Sequence, residues 1–128
     1  MERVNNITSS VIAICIDLHR KLGPGLFESV YEEVMDYKLR QSGIEFKRQV
    51  PIPVIYECVK MDVGFRADFI IEEEVIVEIK SIEAVHSVHK KQLLTYLRLA
   101  NKQIGLLINF NEEILKNGVT RLINKYYE

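Results

Sequence analysis

The chain has no tryptophan, only three prolines and six glycines, and two cysteines among 128 residues. Cys15 and Cys58 lie far apart and form no CxxC pair. That excludes a disulfide scaffold or a thiolate metal cage, and their apolar neighbours lead us to expect two buried free thiols. The scarcity of proline and glycine excludes collagenous and low-complexity classes. Charge of one sign is also missing: 17 Lys and Arg face 18 Asp and Glu, for a net charge of -1. A globally basic nucleic-acid binder is therefore excluded, and any such contact must rest on local charge. Long hydrophobic runs are absent as well. The first apolar cluster is interrupted by Asp17 and His19, so neither a signal peptide nor a membrane span is expected, and the expected location is the cytoplasm. There is no internal repeat and no Walker, GxGxxG, GxSxG or HExxH motif.

What is present is an ordinary globular composition, 48% hydrophobic and 27% charged. A chain of this length forms one domain, residues 1–128, and buries roughly two-thirds of its unfolded surface. Apolar residues recur at helical spacing from Ile7 to Leu22, until Gly23-Pro24-Gly25 breaks the pattern. A second helix is predicted from Leu26 to Gln41, with Lys38 and Arg40 in its last turn and Gly43 beyond. The period then shifts towards two, over Ile44–Val50, Ile52–Val59, Val63–Ile71 and Val75–Ser81, which read as strands. A helical pattern returns at Ser87–Ala100. Ile104–Phe110 is a continuous apolar run expected of a doubly buried strand. The tail, Glu112–Tyr127, is ambiguous, and one reading of it is a short helix followed by a last strand, Gly118–Ile123. The order α-α-β-β-β-β-α-β implies an α/β (α+β) class, a mixed sheet flanked by helices with one right-handed crossover.

Two of these strands carry charge in their interiors. If Glu72-Glu73-Glu74 form the loop, Ile71 pairs with Val75, and counting back sets Asp68 opposite Glu78 on one face, with Lys80 diagonal to it. Two carboxylates about 5 Å apart repel by roughly 3 kcal/mol at an effective dielectric near 20. Lys80 offsets part of this, and a divalent cation such as Mg²⁺ would offset the rest. The bland alternative is a solvated face with a weak surface ion pair.

Other polar residues fall on otherwise apolar surfaces. Glu28 sits at the edge of the stripe formed by Phe27, Val30, Tyr31 and Val34, in a first turn where the helix dipole also favours a negative charge. His89, Gln92 and Tyr96 share one face of the later helix and read as a cleft wall. His86 and His89 at i, i+3 are an alternative transition-metal pair lacking a third ligand. Lys47-Arg48, Arg66 and Lys90-Lys91 are local cations suited to a phosphate backbone.

These residues together resemble a known group. Gly25-Leu-Phe-Glu28-Ser-Val-Tyr31 resembles the motif naming the GxxExxY family of small prokaryotic proteins, and Asp68 with Glu78-Ile79-Lys80 resembles the D…ExK core of the PD-(D/E)XK nuclease-like superfamily. The likeness extends to Gly64-Phe-Arg-Ala-Asp68, to His89, Gln92 and Tyr96, and to Gly105–Phe110. Ala67 stands where the superfamily has proline.

The resemblance implies a restriction-endonuclease-like core and a metal-dependent phosphodiesterase. Asp68, Glu78, Glu28 and the Ile79 carbonyl would hold Mg²⁺ or Mn²⁺. Lys80 would orient or deprotonate the attacking water, and Gln92, Tyr96, Tyr31, Arg66 and His89 would position substrate. The expected partner is nucleic acid, DNA in the first instance, with a homodimer or an unidentified protein supplying selectivity. The rival expectation is a non-cutting nucleic-acid-binding or protein-interaction module, motivated by the small size and near-neutral charge.

Overall fold

The computed structural model describes residues 1–128. Helix α1 (Glu2–Leu22) starts earlier than its apolar pattern, and its buried stripe is Val4, Thr8, Val11, Cys15, Leu18 and His19. It ends at Gly23, whose φ of 73° suits a residue without Cβ. Helix α2 (Glu28–Gln41) buries Tyr31, Met35 and Leu39, a spacing of four that keeps one face inward.

Strands β1 (Phe46–Tyr56), β2 (Val59–Ile71) and β3 (Val75–Lys80) follow. Helix α3 (Ser87–Ala100) then crosses to β4 (Ile104–Asn109), and a 3-10 turn at Leu115–Gly118 leads into β5 (Val119–Ile123). The five strands lie in sequence order. Only β3 and β4 are parallel, joined by α3, and every other neighbouring pair is antiparallel. This is the expected mixed α/β sheet with helices on both faces.

One expectation about strand number is corrected. Ile44–Val50 and Ile52–Val59 do not form separate strands, so three strands and not four precede α3. Pro51 and Pro53 do not end the strand because β1 lies at the sheet edge, where a missing N–H is tolerated, although the register with β2 shifts between Pro53 and Ile55. The hairpin turn falls at Glu57 and Cys58, whose φ values of 50° and 66° place both in the left-handed region. Cys58 is therefore exposed on a turn, contrary to the expectation of burial, while Cys15 is buried as expected.

The sheet separates two cores. Val75, Val77 and Ile79 of β3 pack with Ile104, Leu106 and Ile108 of β4 against α1 and α2. On the other face Ile76 and Leu107 pack against Leu93, Tyr96 and Leu97 of α3. Gly105 allows α3 to lie close, since a Cβ there would meet the Leu93 side chain at 3.0 Å. Glu78 continues the Ile76 face of β3, and so lies beneath α3. No helix is long and apolar enough to cross a membrane.

Candidate metal centre

The β2–β3 hairpin turns at Glu72 and Glu73, with φ of 53° and 61°, and the Glu74 N–H donates to the Ile71 carbonyl at 2.9 Å. No glycine or asparagine is needed for this turn, although both central residues occupy the left-handed region. The register is Ile71 with Val75, Ile70 with Ile76 and Phe69 with Val77, as the sequence predicts. One step further brings Asp68 level with Glu78, but the backbone ladder has ended. In its place the Asp68 carboxylate accepts the Ile79 N–H through Oδ2 at 2.8 Å. The carbonyl of a strand residue points to the same edge as its N–H. The Ile79 carbonyl therefore faces the gap left by β2, beside both acids.

Glu78 is 7% exposed, and its Oε1 is buried with no hydrogen-bond partner. Burial, and then the Asp68 charge, push its carboxyl up to about 9, and Lys80 only partly opposes this. The side chain of Lys80 is half-buried and forms no ion pair. Tyr96 from α3 is 8% exposed. Burial, and then the charges of Glu78 and Asp68, hold its phenol above the ordinary value. Its ring lies 5.0 Å from that of Phe65 on β2, which closes this side of the site.

Glu28 is tied to the same strand end. The Ser81 N–H donates to Glu28 Oε2 at 3.3 Å, and the Ser81 hydroxyl donates to the Leu26 carbonyl. This staples the start of α2 to the residue after Lys80. Glu28 is exposed and does not join Asp68 and Glu78 in a cluster of three ligating side chains.

The remaining expected residues divide into two groups. Gln92 is exposed on α3 and Arg66 is exposed on β2, and neither makes an ion pair or a side-chain hydrogen bond. Tyr31 is fully buried, and its hydroxyl donates to the Gly23 carbonyl at 2.6 Å and accepts the Leu26 N–H at 3.2 Å. Its ring stacks on Phe110 at 4.4 Å. It shapes the loop ahead of Glu28 and has no free polar atom for substrate. His86 and His89 form a reciprocal cap at the start of α3, with the His86 N–H donating to His89 Nδ1 at 2.9 Å. Their spacing of three is explained by that cap.

The cations Lys47 and Arg48 already have acidic partners within the chain. Lys47 pairs with Glu73 at 2.8 Å. Arg48 contacts Glu32, Glu33 and Asp36, whose charges outweigh its partial burial and hold its pKa above the ordinary value. Lys90 and Lys91 are exposed and unpaired.

Three residues join the site unannounced by the sequence. Gln49 donates its amide to Glu32 and to Asp68 Oδ1, the latter at 3.4 Å. Ser81 links β3 to α2. Asn109, buried at the end of β4, accepts the Ile82 N–H at 3.1 Å and donates to the Ile82 carbonyl at 2.9 Å, fixing the exit from β3. Only the polarity of Asn109 in an apolar run was a usable signal.

A sequence model described as the PD-(D/E)XK nuclease superfamily matches residues 5–122. The chain belongs to the PD-(D/E)XK nuclease superfamily. Searches among curated proteins and among solved structures returned no match. Superfamily members generally use divalent metals, and the donors here suit such an ion. Two carboxylates and a carbonyl are hard oxygen ligands, and Glu78 Oε1 is a buried acceptor lacking a partner, which a cation would satisfy.

Proposed function

We propose that this protein is a divalent-metal-dependent nuclease of the GxxExxY type, hydrolysing phosphodiester bonds in nucleic acid as a single unit over residues 1–128, with Mg²⁺ or Mn²⁺ as cofactor. The observation that carries this reading is the unpartnered, buried Oε1 of Glu78 beside the Asp68 carboxylate. Two acids this close are compatible only when one keeps a proton or a cation lies between them, and a polar network left half-satisfied is a poor structural device.

Asp68, Glu78 and the Ile79 carbonyl would hold the ion, and Glu28 stands by at the Ser81 amide as a further carboxylate. When bound, the metal supplies Lewis-acid stabilisation of phosphate charge and a more acidic water. Lys80 lies two residues along the strand from Glu78, on the same face, with an unpaired ammonium. It orients the attacking water through a hydrogen bond and stabilises the extra negative charge that develops on the phosphoryl oxygens. Tyr96 and Phe65 exclude water from the inner side of the acids, which strengthens these interactions. Gln92, Arg66, Lys90 and Lys91 carry polar groups unclaimed by protein partners, and they position the sugar-phosphate backbone. His89, fixed by its cap, contributes to the cleft rim.

The test is incubation of purified protein with single-stranded and duplex DNA and RNA in Mg²⁺ or Mn²⁺, beside Asp68→Ala and Lys80→Ala. Metal-dependent cleavage abolished in both variants is the expected result. Cleavage that persists unchanged in both would falsify the assignment. Tight nucleic-acid binding with no cleavage by the wild type would favour a non-cutting module instead.

A further inference from the structure

We propose that Gln49 is a positioning residue that aims the Asp68 carboxylate at the metal centre. This inference rests on the assignment of Asp68 and Glu78 as metal ligands. Gln49 lies inside strand β1 with φ of 54°, a left-handed backbone that costs glutamine energy and that glycine or asparagine would adopt more easily. Strand interiors do not need such a residue, so the side chain must return something the backbone loses.

The surrounding register says what that is. β1 and β2 pair from Phe46 with Ile71 to Arg48 with Phe69, and resume at Val50 with Ala67, skipping Gln49 and Asp68. On either side of this gap the strands serve different cores. Phe46, Phe69 and Ile71 pack towards α1 and α2, whereas Val50, Ile52, Phe65 and Ala67 pack towards α3. Strict alternation would keep Phe46, Val50 and Ile52 on one face, and likewise Phe65, Ala67, Phe69 and Ile71. Both strands therefore change face at the Gln49–Asp68 step. The left-handed residue makes that change in β1, and the same step frees Asp68 from the ladder to reach the Ile79 N–H.

The Gln49 amide then secures the freed carboxylate. It donates to Asp68 Oδ1 while Asp68 Oδ2 accepts the Ile79 N–H. The amide itself is anchored by Glu32, one turn after Glu28 on α2. Glu32 is fixed in turn by Arg48 at 2.6 Å, and Arg48 by Asp36 at 3.3 Å. The chain of contacts runs from α2 through β1 to Asp68, so the aspartate is preset before any ion arrives. A partner of this kind, one shell out from the metal, typically changes affinity about 10–100-fold when removed.

Gln49→Gly and Gln49→Asn separate this role from a structural one, because both suit the left-handed backbone, while glycine has no side-chain amide and that of asparagine is one methylene too short to reach Asp68. Each should keep or raise the thermal midpoint. Each should also lower Mn²⁺ affinity, measured by calorimetry, by about 10–100-fold. In metal-free protein the Ile79 amide should exchange its hydrogen about tenfold faster or more, as Asp68 loses its second anchor. Unchanged Mn²⁺ affinity and unchanged Ile79 protection in both variants overturn the proposal while leaving the metal assignment standing. A fall in thermal midpoint matching the loss of affinity also overturns it, since the role would then be structural. If the wild type binds no Mn²⁺, the metal assignment fails, and Ile79 exchange alone still decides whether Gln49 positions Asp68.

Discussion

Replacing Glu78 with glutamine should change the protein's response to pH in a way few other substitutions can. The Glu78 carboxyl has an ordinary value of 4.5 and is raised to about 9 by burial and by Asp68. At 1.36 kcal/mol per unit, that difference corresponds to about 6 kcal/mol at most, reduced by whatever relaxation the site allows. The sign follows from proton binding. Below pH 4.5 the group is protonated whether the chain is folded or not, so it adds no pH dependence. Between 4.5 and 9 the folded chain keeps a proton that the unfolded chain has released, so stability falls as pH rises, and above 9 the loss is complete. Metal-free wild type should therefore melt progressively lower from pH 5 to pH 9, and Glu78→Gln should lose most of that slope.

The same proton is linked to metal. At pH 7 only about one molecule in a hundred would carry ionised Glu78 without a cation, so binding must release close to one proton. Titration with Mn²⁺ in two buffers of different ionisation heat measures that release directly. Wild type should release about one proton per ion at pH 7, with affinity rising about tenfold per pH unit below 9. Glu78→Gln should bind weakly and release none. Binding by wild type without proton release, or an unchanged stability slope in Glu78→Gln, would show that Glu78 does not hold this proton.

Lys80→Met should cut turnover at least about 100-fold while leaving Mn²⁺ affinity equal or higher, because it removes a like charge; steady-state kinetics beside calorimetry checks both. Tyr31→Phe keeps the stack on Phe110 but loses two hydrogen bonds in the Gly23–Leu26 loop, and denaturant unfolding should show a loss of about 1–2 kcal/mol. Gly118→Ala would drive a Cβ to 2.4 Å from the Asn109 carbonyl oxygen. It should cost about 3 kcal/mol or more by the same assay, whereas Gly105→Ala, which meets only the movable Leu93 side chain, should cost less.

The parts of the fold that a short-range pattern can encode were legible from the residues. The Glu72–Glu74 loop set the hairpin count, and with it the level of Asp68 and Glu78. The apolar run Ile104–Phe110 marked a doubly buried strand because both its faces meet helices. What failed depended on context that periodicity does not carry. Pro51 and Pro53 looked like a break, but on an edge strand their missing N–H groups matter little. Cys58 looked buried because its neighbours are apolar, but those neighbours flank a turn. Arg48 looked available to phosphate until α2 packed beside β1 and brought Glu32, Glu33 and Asp36 to it. Gln49 gave no signal at all, since a left-handed glutamine inside a strand has no compositional mark. The spacing of His86 and His89 was visible, but its use as a helix cap was not separable from a metal pair without coordinates.

Anomalous diffraction from Mn²⁺-soaked crystals decides whether Asp68, Glu78 and the Ile79 carbonyl hold a divalent metal, as proposed. The expected result is a single strong peak at the Asp68 and Glu78 carboxylates, near the Ile79 carbonyl. No peak at that position, or one at His86 and His89 instead, would contradict it.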